Sequence, residues 1–356
     1  MLKSGDPMNP DKAVELLRAA LLEVPGVDRM EIVTSSAVAD TPIDFVCRVT
    51  VHGREHVLAG EVKSNGQPRH VQAALFQLKR YVEQQLGVVI PLFIAPYLSE
   101  DARALCVESN VGYLDLQGNA RIAFPGFFLS RTMAERPASE RRELRSLFKA
   151  KSAAVLRCLL REPSKRWRVA DLARETLVSV GHVSNVRASL LDRGWAEVSE
   201  EGVFLARPDG LLDAWRAEYA PPSGERRSFY TTLHGGAFDD TLRARAHELE
   251  GSAILSTFSA AKWLAPYGRT SVDSFYADRN GADLLCRTLG LVTAGRGANV
   301  DITVIDDPGF FRDAIEPVAG IRCTSVVQTY LDLFASGERG REAADHLRQE
   351  KLQWKN

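Results

Sequence analysis

Cysteine is scarce in this sequence, and none of it is spaced for metal or redox work. The five residues, Cys47, Cys106, Cys158, Cys286 and Cys323, contain no C-x-x-C pair. That argues against a zinc ribbon and a disulfide framework, and leaves reduced, mostly buried thiols as the expectation. Long apolar runs are missing too: none reaches the ~18 residues of a membrane span. No apolar stretch follows a basic start at the N-terminus, so a cytoplasmic chain without membrane contact is expected. Nor is there an excess of one charge. The net charge is −1, so any nucleic-acid surface must be a local patch. Histidines are dispersed, and the closest pair, His52 and His56, flanks a hairpin turn without a third ligand. Both are read as surface residues.

What is present is a chain of 356 residues, too long for one ordinary core, so two or three domains are expected. Residues 11–24 carry apolar positions at helical spacing and stop at Pro25-Gly26. Ile43–Val51 alternates, Val57–Val62 is an apolar run, and Arg69–Gln85 returns to a helical period. Val88–Ala95 has the density and length of a buried strand. Ser99–Glu108 reads as a serine-capped helix, and Gly112–Phe128 as a hairpin about Gly118-Asn119. The pattern is α/β with one mixed sheet. Arg131–Lys151 is charged and poor in core residues, which places a linker and a boundary near residue 135. Ala220–Arg227, with two prolines, a serine and a glycine, marks a second break.

Within the first domain, Asp44 opens one strand and Glu61-Val62-Lys63 ends the next. Residues i and i+2 of a strand share a face, so Glu61 and Lys63 project together, and Asp44 can reach them from the neighbouring strand. Two carboxylates beside an ammonium suit phosphodiester hydrolysis. The pair would hold Mg²⁺, the metal would activate water, and the lysine would steady the water or the phosphate. A D…E-x-K pattern by itself is also what ordinary polar strand ends produce. The order of elements gives it more weight: helix, strand with Asp44, strand with Glu61 and Lys63, helix. In that order this stretch resembles the PD-(D/E)XK nuclease superfamily. Gln77 and Tyr81 resemble the Q-x-x-x-Y motif of its RecB-like branch, which implies that both border the site from one helix face. Asp44 follows Ile rather than the usual Pro. The superfamily's first-helix glutamate corresponds to Glu15 or Glu23.

Residues 148–205 read as helix, helix, helix, hairpin: Phe148–Leu160, Arg168–Glu175, Ser179–Asp192 and Ala196–Leu205. This is the winged form of the helix-turn-helix, whose third helix enters the major groove. The polar positions near the start of that helix are Ser179, His182, Ser184, Asn185 and Arg187. Asn and Arg can make bidentate contacts to adenine and guanine edges. Lys165, Arg166 and Arg168 stand upstream as phosphate contacts, with Trp167 between them as a packing residue. Glu197, Glu200 and Glu201 in the wing would repel phosphate. A pure protein-binding role is the competing reading of this module.

Residues 228–356 hold no complete catalytic motif. Gly235-Gly236 with Asp239-Asp240, and Gly295-Arg296-Gly297, are read as turns, because the partner residues of a nucleotidyltransferase or phosphate loop are missing. Ser252–Leu264 and Arg322–Leu333 look like helices; Phe275–Ala277 and Val300–Ile305 look like strands. The segment GSAILSTFSAAKWLAPYGR (251–269) and the ending CTSVVQTYLDLFASGERGREAADHLR (323–348) resemble the AbiEi antitoxin and transcriptional-regulator family of type IV toxin–antitoxin systems. Gln328, Thr329, Tyr330, Leu331, Asp332 and Leu333, then Gly337, Arg339, Gly340, Glu342, Ala343 and Ala344, carry the resemblance; GYLDLQGNARI (112–122) adds to it. It implies an operator-binding regulator that neutralises a nucleotidyltransferase-type toxin.

The expected architecture is therefore a restriction-endonuclease-like mixed sheet (1–135), a linker helix with a winged helix-turn-helix (136–220), and an α+β C-terminal domain (228–356). A homo-oligomer is compatible with it. Function divides between a DNA-binding regulator with a nuclease-like domain, a Mg²⁺-dependent nuclease targeted by its winged helix in phage defence or DNA repair, and an adaptor that binds only protein. Fold alone does not decide between them.

Overall fold

A computed structural model describes residues 8–34, 43–133, 135–268 and 270–354. The chain divides into two compact units, residues 1–140 with the short stretch 191–194, and the remainder.

In the first unit, α1 (Pro10–Leu22) is started by Asn9, whose side chain accepts from the Lys12 amide at 2.9 Å. Seven strands follow: β1 (Val27–Thr34), β2 (Phe45–Val51), β3 (Arg54–Val62), β4 (Val89–Ala95), β5 (Gly112–Asp115), β6 (Ala120–Phe124) and β7 (Phe127–Arg131). Helix α2 (Pro68–Glu83) joins β3 to β4, and α3 (Glu100–Glu108) joins β4 to β5. The strands lie in sequence order in one mixed sheet. β3, β4 and β5 are parallel neighbours and every other pair is antiparallel. Alternation along β3 explains the layering: Leu58 and Val62 join the core that also contains Leu17 and Leu21 of α1, whereas Ala59 joins the core under α2 and α3. The expected hairpin at 112–128 is in fact three strands, because a second turn at Gly126 (φ +84°) returns the chain as β7. Strand β1 went unread, since its burial alternates only between exposed and half-buried.

In the second unit, α4 (Ala138–Leu147) leads into three helices, α5 (Ala150–Arg161), α6 (Val169–Thr176) and α7 (Val180–Asp192). The hairpin of β8 (Ala196–Ser199) and β9 (Gly202–Leu205) comes next. This is the helix, helix, helix, hairpin order expected from the sequence, with Val183, Val186 and Leu190 buried as anticipated. Trp167 adds a third short strand by exchanging backbone hydrogen bonds with Val203 at 2.8 and 2.9 Å. Gly202 permits this approach: a Cβ there would stand 2.4 Å from the Trp167 carbonyl oxygen.

After α8 (Pro208–Glu218) come β10 (Glu225–Tyr230), α9 (Gly236–Ala244), α10 (Ala246–Leu249), β11 (Ala253–Leu255), α11 (Thr257–Leu264), β12 (Asp273–Ala277), α12 (Arg279–Leu289), β13 (Val292–Thr293) and β14 (Val300–Val304). The chain ends with α13 (Pro308–Arg312), β15 (Ile315–Val318), β16 (Ile321–Cys323), α14 (Val326–Phe334) and α15 (Glu338–Lys351). Their sheet runs β13-β10-β14-β12-β11-β16-β15. Two expected helices are corrected. Ser252–Leu264 contains β11 before α11, and Arg322–Leu333 contains part of β16 before α14. Short apolar runs have no readable period, so Ala253–Leu255 merged with the helix behind it. Thr257, at φ +52°, makes the bend between them. No helix among the described residues is long and apolar enough to cross a membrane.

Candidate functional site

The carboxyl end of β3 is where the first unit concentrates chemistry. Ladder pairing of Phe45 with Gly60 continues one step, to the Asp44 amide, which donates to the Gly60 carbonyl at 2.9 Å. Asp44 Oδ2 in turn accepts from the Val62 amide at 2.6 Å. Glu61 projects to the α2/α3 side, as its neighbour Ala59 does, and is only 3% exposed. Lys63 follows the strand, its amide donating to the Ile94 carbonyl at 3.0 Å and its ammonium bonded to Glu61 Oε1. Asp44, Glu61 and Lys63 are thus brought together at the edge where open α/β sheets hold ligands.

Two glycines make room for this edge. A Cβ on Gly60 would enter the Phe45 ring at 1.9 Å, and one on Gly66 would stand 2.0 Å from the Tyr97 carbonyl oxygen. Burial raises the Glu61 carboxyl above its usual range. The hydrogen bond from Lys63 opposes that rise, and the Asp44 charge adds to it. Two carboxylates are as many as Mg²⁺ commonly takes from a protein. Among the described residues no hydrogen bond occupies Asp44 Oδ1 or Glu61 Oε2. No cluster of three or more His, Cys, Asp or Glu is found there. Two carboxylates alone would leave most of an ion's coordination to water.

The helix residues are placed differently. Tyr81 is half-buried against the core under α2, where Ile43 and Val46 also pack. Gln77, one turn earlier, is exposed. No hydrogen bond connects either side chain to Asp44, Glu61 or Lys63. Glu15 and Glu23 are exposed, on and just after α1, the helix that covers the other sheet face; Glu23 pairs with Arg131 at 2.9 Å. Of the two histidines read as surface residues, His52 is exposed, while His56 is half-buried with its ring 4.8 Å from Phe124.

Asp115, which sequence reasoning passed over, closes the same sheet edge. It is fully buried and accepts from the Leu98, Gln117 and Asn119 amides at 3.0, 2.9 and 3.0 Å, and from Asn119 Nδ2 at 2.8 Å. Asn119 Oδ1 then accepts from Arg103 and from the Met133 amide. The GYLDLQGNARI stretch is therefore a self-bonded turn and not a reactive centre. Burial pushes the Cys47, Cys106 and Cys323 thiols up to about 12, away from the reactive thiolate form.

In the second unit, Ser184 and Asn185 stand exposed on α7, Ser179 stands exposed just before it, and His182 and Arg187 are half-buried. His182 Nε2 lies 2.9 Å from Ser152 Oγ of α5. Lys165, Arg166 and Arg168 are exposed, but two of them are already engaged. Lys165 lies 3.7 Å from Glu162 and over the Trp167 ring, and Arg166 lies 3.2 Å from Glu201 and over the Phe204 ring.

Helix α5 also anchors the C-terminal sheet domain. Arg157, 4% exposed, places Nε 3.0 Å from Asp313 Oδ2, donates to Gln328 Oε1 at 3.2 Å and covers the Phe310 ring at 5.1 Å. Gln328 Nε2 donates to Tyr219 (2.7 Å) and to Asp332 Oδ1 (3.1 Å). Asp332 Oδ1 also accepts from the hydroxyls of Tyr219 and Tyr276, whereas its buried Oδ2 has no partner. Desolvation pushes this carboxyl up to about 6, against the three hydrogen bonds and Arg157, which lower it.

This segment is the part of the chain with recognisable relatives. Residues 204–353 match the family described as "Transcriptional regulator, AbiEi antitoxin, Type IV TA system". The match covers under half of the chain. No curated protein and no solved structure matches. The AbiEi-matched segment contains Tyr219, Tyr276, Asp313, Gln328 and Asp332, and Arg157 reaches it from outside. The motif residues quoted for the resemblance are mostly interior: Gln328 through Leu333 are all buried, as are Gly340, Ala343 and Ala344. Those residues build the domain. Asp239, beside the Gly235-Gly236 turn, is engaged by Lys262 at 2.7 Å, and Asp301 of β14 by Ser228 and Arg226 at 2.6 and 2.5 Å.

Proposed function

We propose that this chain is a DNA-binding transcriptional regulator of the AbiEi antitoxin kind. Its winged helix α5–β9 reads duplex DNA, and its 204–353 segment engages a toxin partner. The observation that carries the reading is the buried Arg157 contact, which fastens the helical module to the segment matching that family. On α7, Ser184 and Asn185 offer uncharged polar groups to base edges, with Arg187 beside them. Ser179 and His182 are placed for the backbone, since Ser and His serve phosphates as readily as bases. The test is selection of bound sequences from a random duplex library, followed by salt-dependent titration of the winning duplex. Enrichment of a motif supports the reading, and retention of no duplex removes it.

A second reading rests on a different observation, the convergence of Asp44, Glu61 and Lys63 at the end of β3. The first unit would then be a phosphodiesterase of the PD-(D/E)XK kind, with Asp44 and Glu61 holding Mg²⁺. When bound there, the ion would polarise the phosphate and lower the pKa of a water. Lys63 would orient that water or the phosphate oxygen. Cleavage of plasmid or single strands that depends on metal and on Lys63 tests it.

A further inference from the structure

Two of the three cations assigned to the phosphate backbone, Lys165 and Arg166, are poorly free to serve it, whereas Arg168 is exposed and makes no ion pair among the described residues. Lys165 and Arg166 each have an acidic neighbour within 4 Å and an aromatic ring beneath. A salt-bridged cation that moves to a phosphate leaves its old partner charged and unpaired. The net release of counterions per contact is correspondingly smaller. Elsewhere in this unit, Arg141, Arg142, Lys149 and Lys151 are all exposed and make no ion pair or hydrogen bond among the described residues. They lie along α4 and at the start of α5. Glu143, between them, has an interaction of its own, and Arg145 is taken by Glu218 at 3.0 Å.

Position matters as much as freedom. Ser152, one residue after Lys151, holds His182 at 2.9 Å, so the first turn of α5 lies against the first turn of α7. That contact brings the start of α5, where both lysines stand, to the end of α7 that carries Ser179, His182 and Asn185. The start of a helix also presents free amides and the positive end of its dipole, which favours the same anion.

From this we infer that the principal phosphate grip of the module is the α4–α5 surface of Lys149 and Lys151, extended by Arg141 and Arg142, and that its ligand is the backbone of duplex DNA. The inference rests on the DNA-binding reading above and adds where the backbone runs. It makes the acidic wing intelligible: Glu197, Glu200 and Glu201 repel phosphate only if the duplex is held on the wing side. A duplex gripped by the start of α5 leaves them facing solvent.

The test is a salt titration on one fixed duplex of random sequence, comparing wild type with K149A/K151A and K165A/R166A. All four positions are exposed, so both variants should keep the wild-type melting curve, which is checked in parallel. Each lost phosphate contact should flatten the slope of log K against log [salt] by about 0.9. K149A/K151A is expected to lose nearly two units of slope and to weaken binding to that duplex. K165A/R166A is expected to change the slope by well under one. The reverse ranking overturns the inference and leaves DNA binding itself standing. Failure of wild type to bind any duplex overturns both.

Discussion

Arg157 and Asp313 form an ion pair at 3.0 Å with the guanidinium only 4% exposed, joining the first helix of the three-helix and hairpin module to the AbiEi-matched segment. Removing one partner of a buried pair costs about 3–5 kcal/mol where nothing else balances the other charge; here Arg161, 3.7 Å from Asp313, keeps the loss toward the lower end. R157M should therefore lower the denaturation midpoint strongly. R157M/D313N should recover much of that loss, since neither charge is then left alone. A double variant as unstable as the single one would mean that Asp313 is not the group Arg157 balances.

Asp332 gives stability a definite pH dependence. Its folded carboxyl is pushed up to about 6, above its unfolded value, so the folded state holds the proton more tightly. The benefit is present below the unfolded pKa and is lost as pH rises through the folded one, a change of about 3 kcal/mol over two pH units. Glu61 is raised too and contributes in the same direction. D332N should flatten the unfolding free energy between about pH 4 and 6. An unchanged profile would show that Asp332 titrates normally.

If the first unit cuts DNA, Mg²⁺ or Mn²⁺ must be required, because Asp44 and Glu61 would otherwise repel the phosphate. K63A should abolish cutting while keeping metal affinity, and E61A should lose both. No cleavage by wild type on either plasmid or single strand, at any metal concentration, leaves the regulator reading alone. Cleavage that persists in K63A would locate the activity elsewhere.

The legible parts of this protein were those whose chemistry is local. Asp44, Glu61 and Lys63 sit on neighbouring strands whose alternation can be read directly, and the stripe Val183, Val186, Leu190 announces α7. What escaped depends on distant pieces. Asp115 is bonded locally by the amides of Gln117 and Asn119, but its burial depends on the chain at Leu98, whose amide it also accepts from. The hub of Arg157, Tyr219, Tyr276, Gln328 and Asp332 gathers residues from four separate stretches, and no one of those stretches shows that the others meet it. Pairing also hid the truth about Lys165 and Arg166: the sequence displays their charge, but not the glutamates that neutralise it.

The most direct measurement for the central claim is sequence selection from a random duplex library by wild type and by N185A/R187A. Each good bidentate contact is worth about 1–3 kcal/mol of discrimination against the wrong base. Wild type should therefore enrich a defined motif, and the variant should retain DNA with that preference blurred while its affinity for random duplex stays nearly the same. Equal loss on selected and random DNA would make α7 a backbone contact and not a reader, and the absence of any enriched motif in wild type would contradict the account.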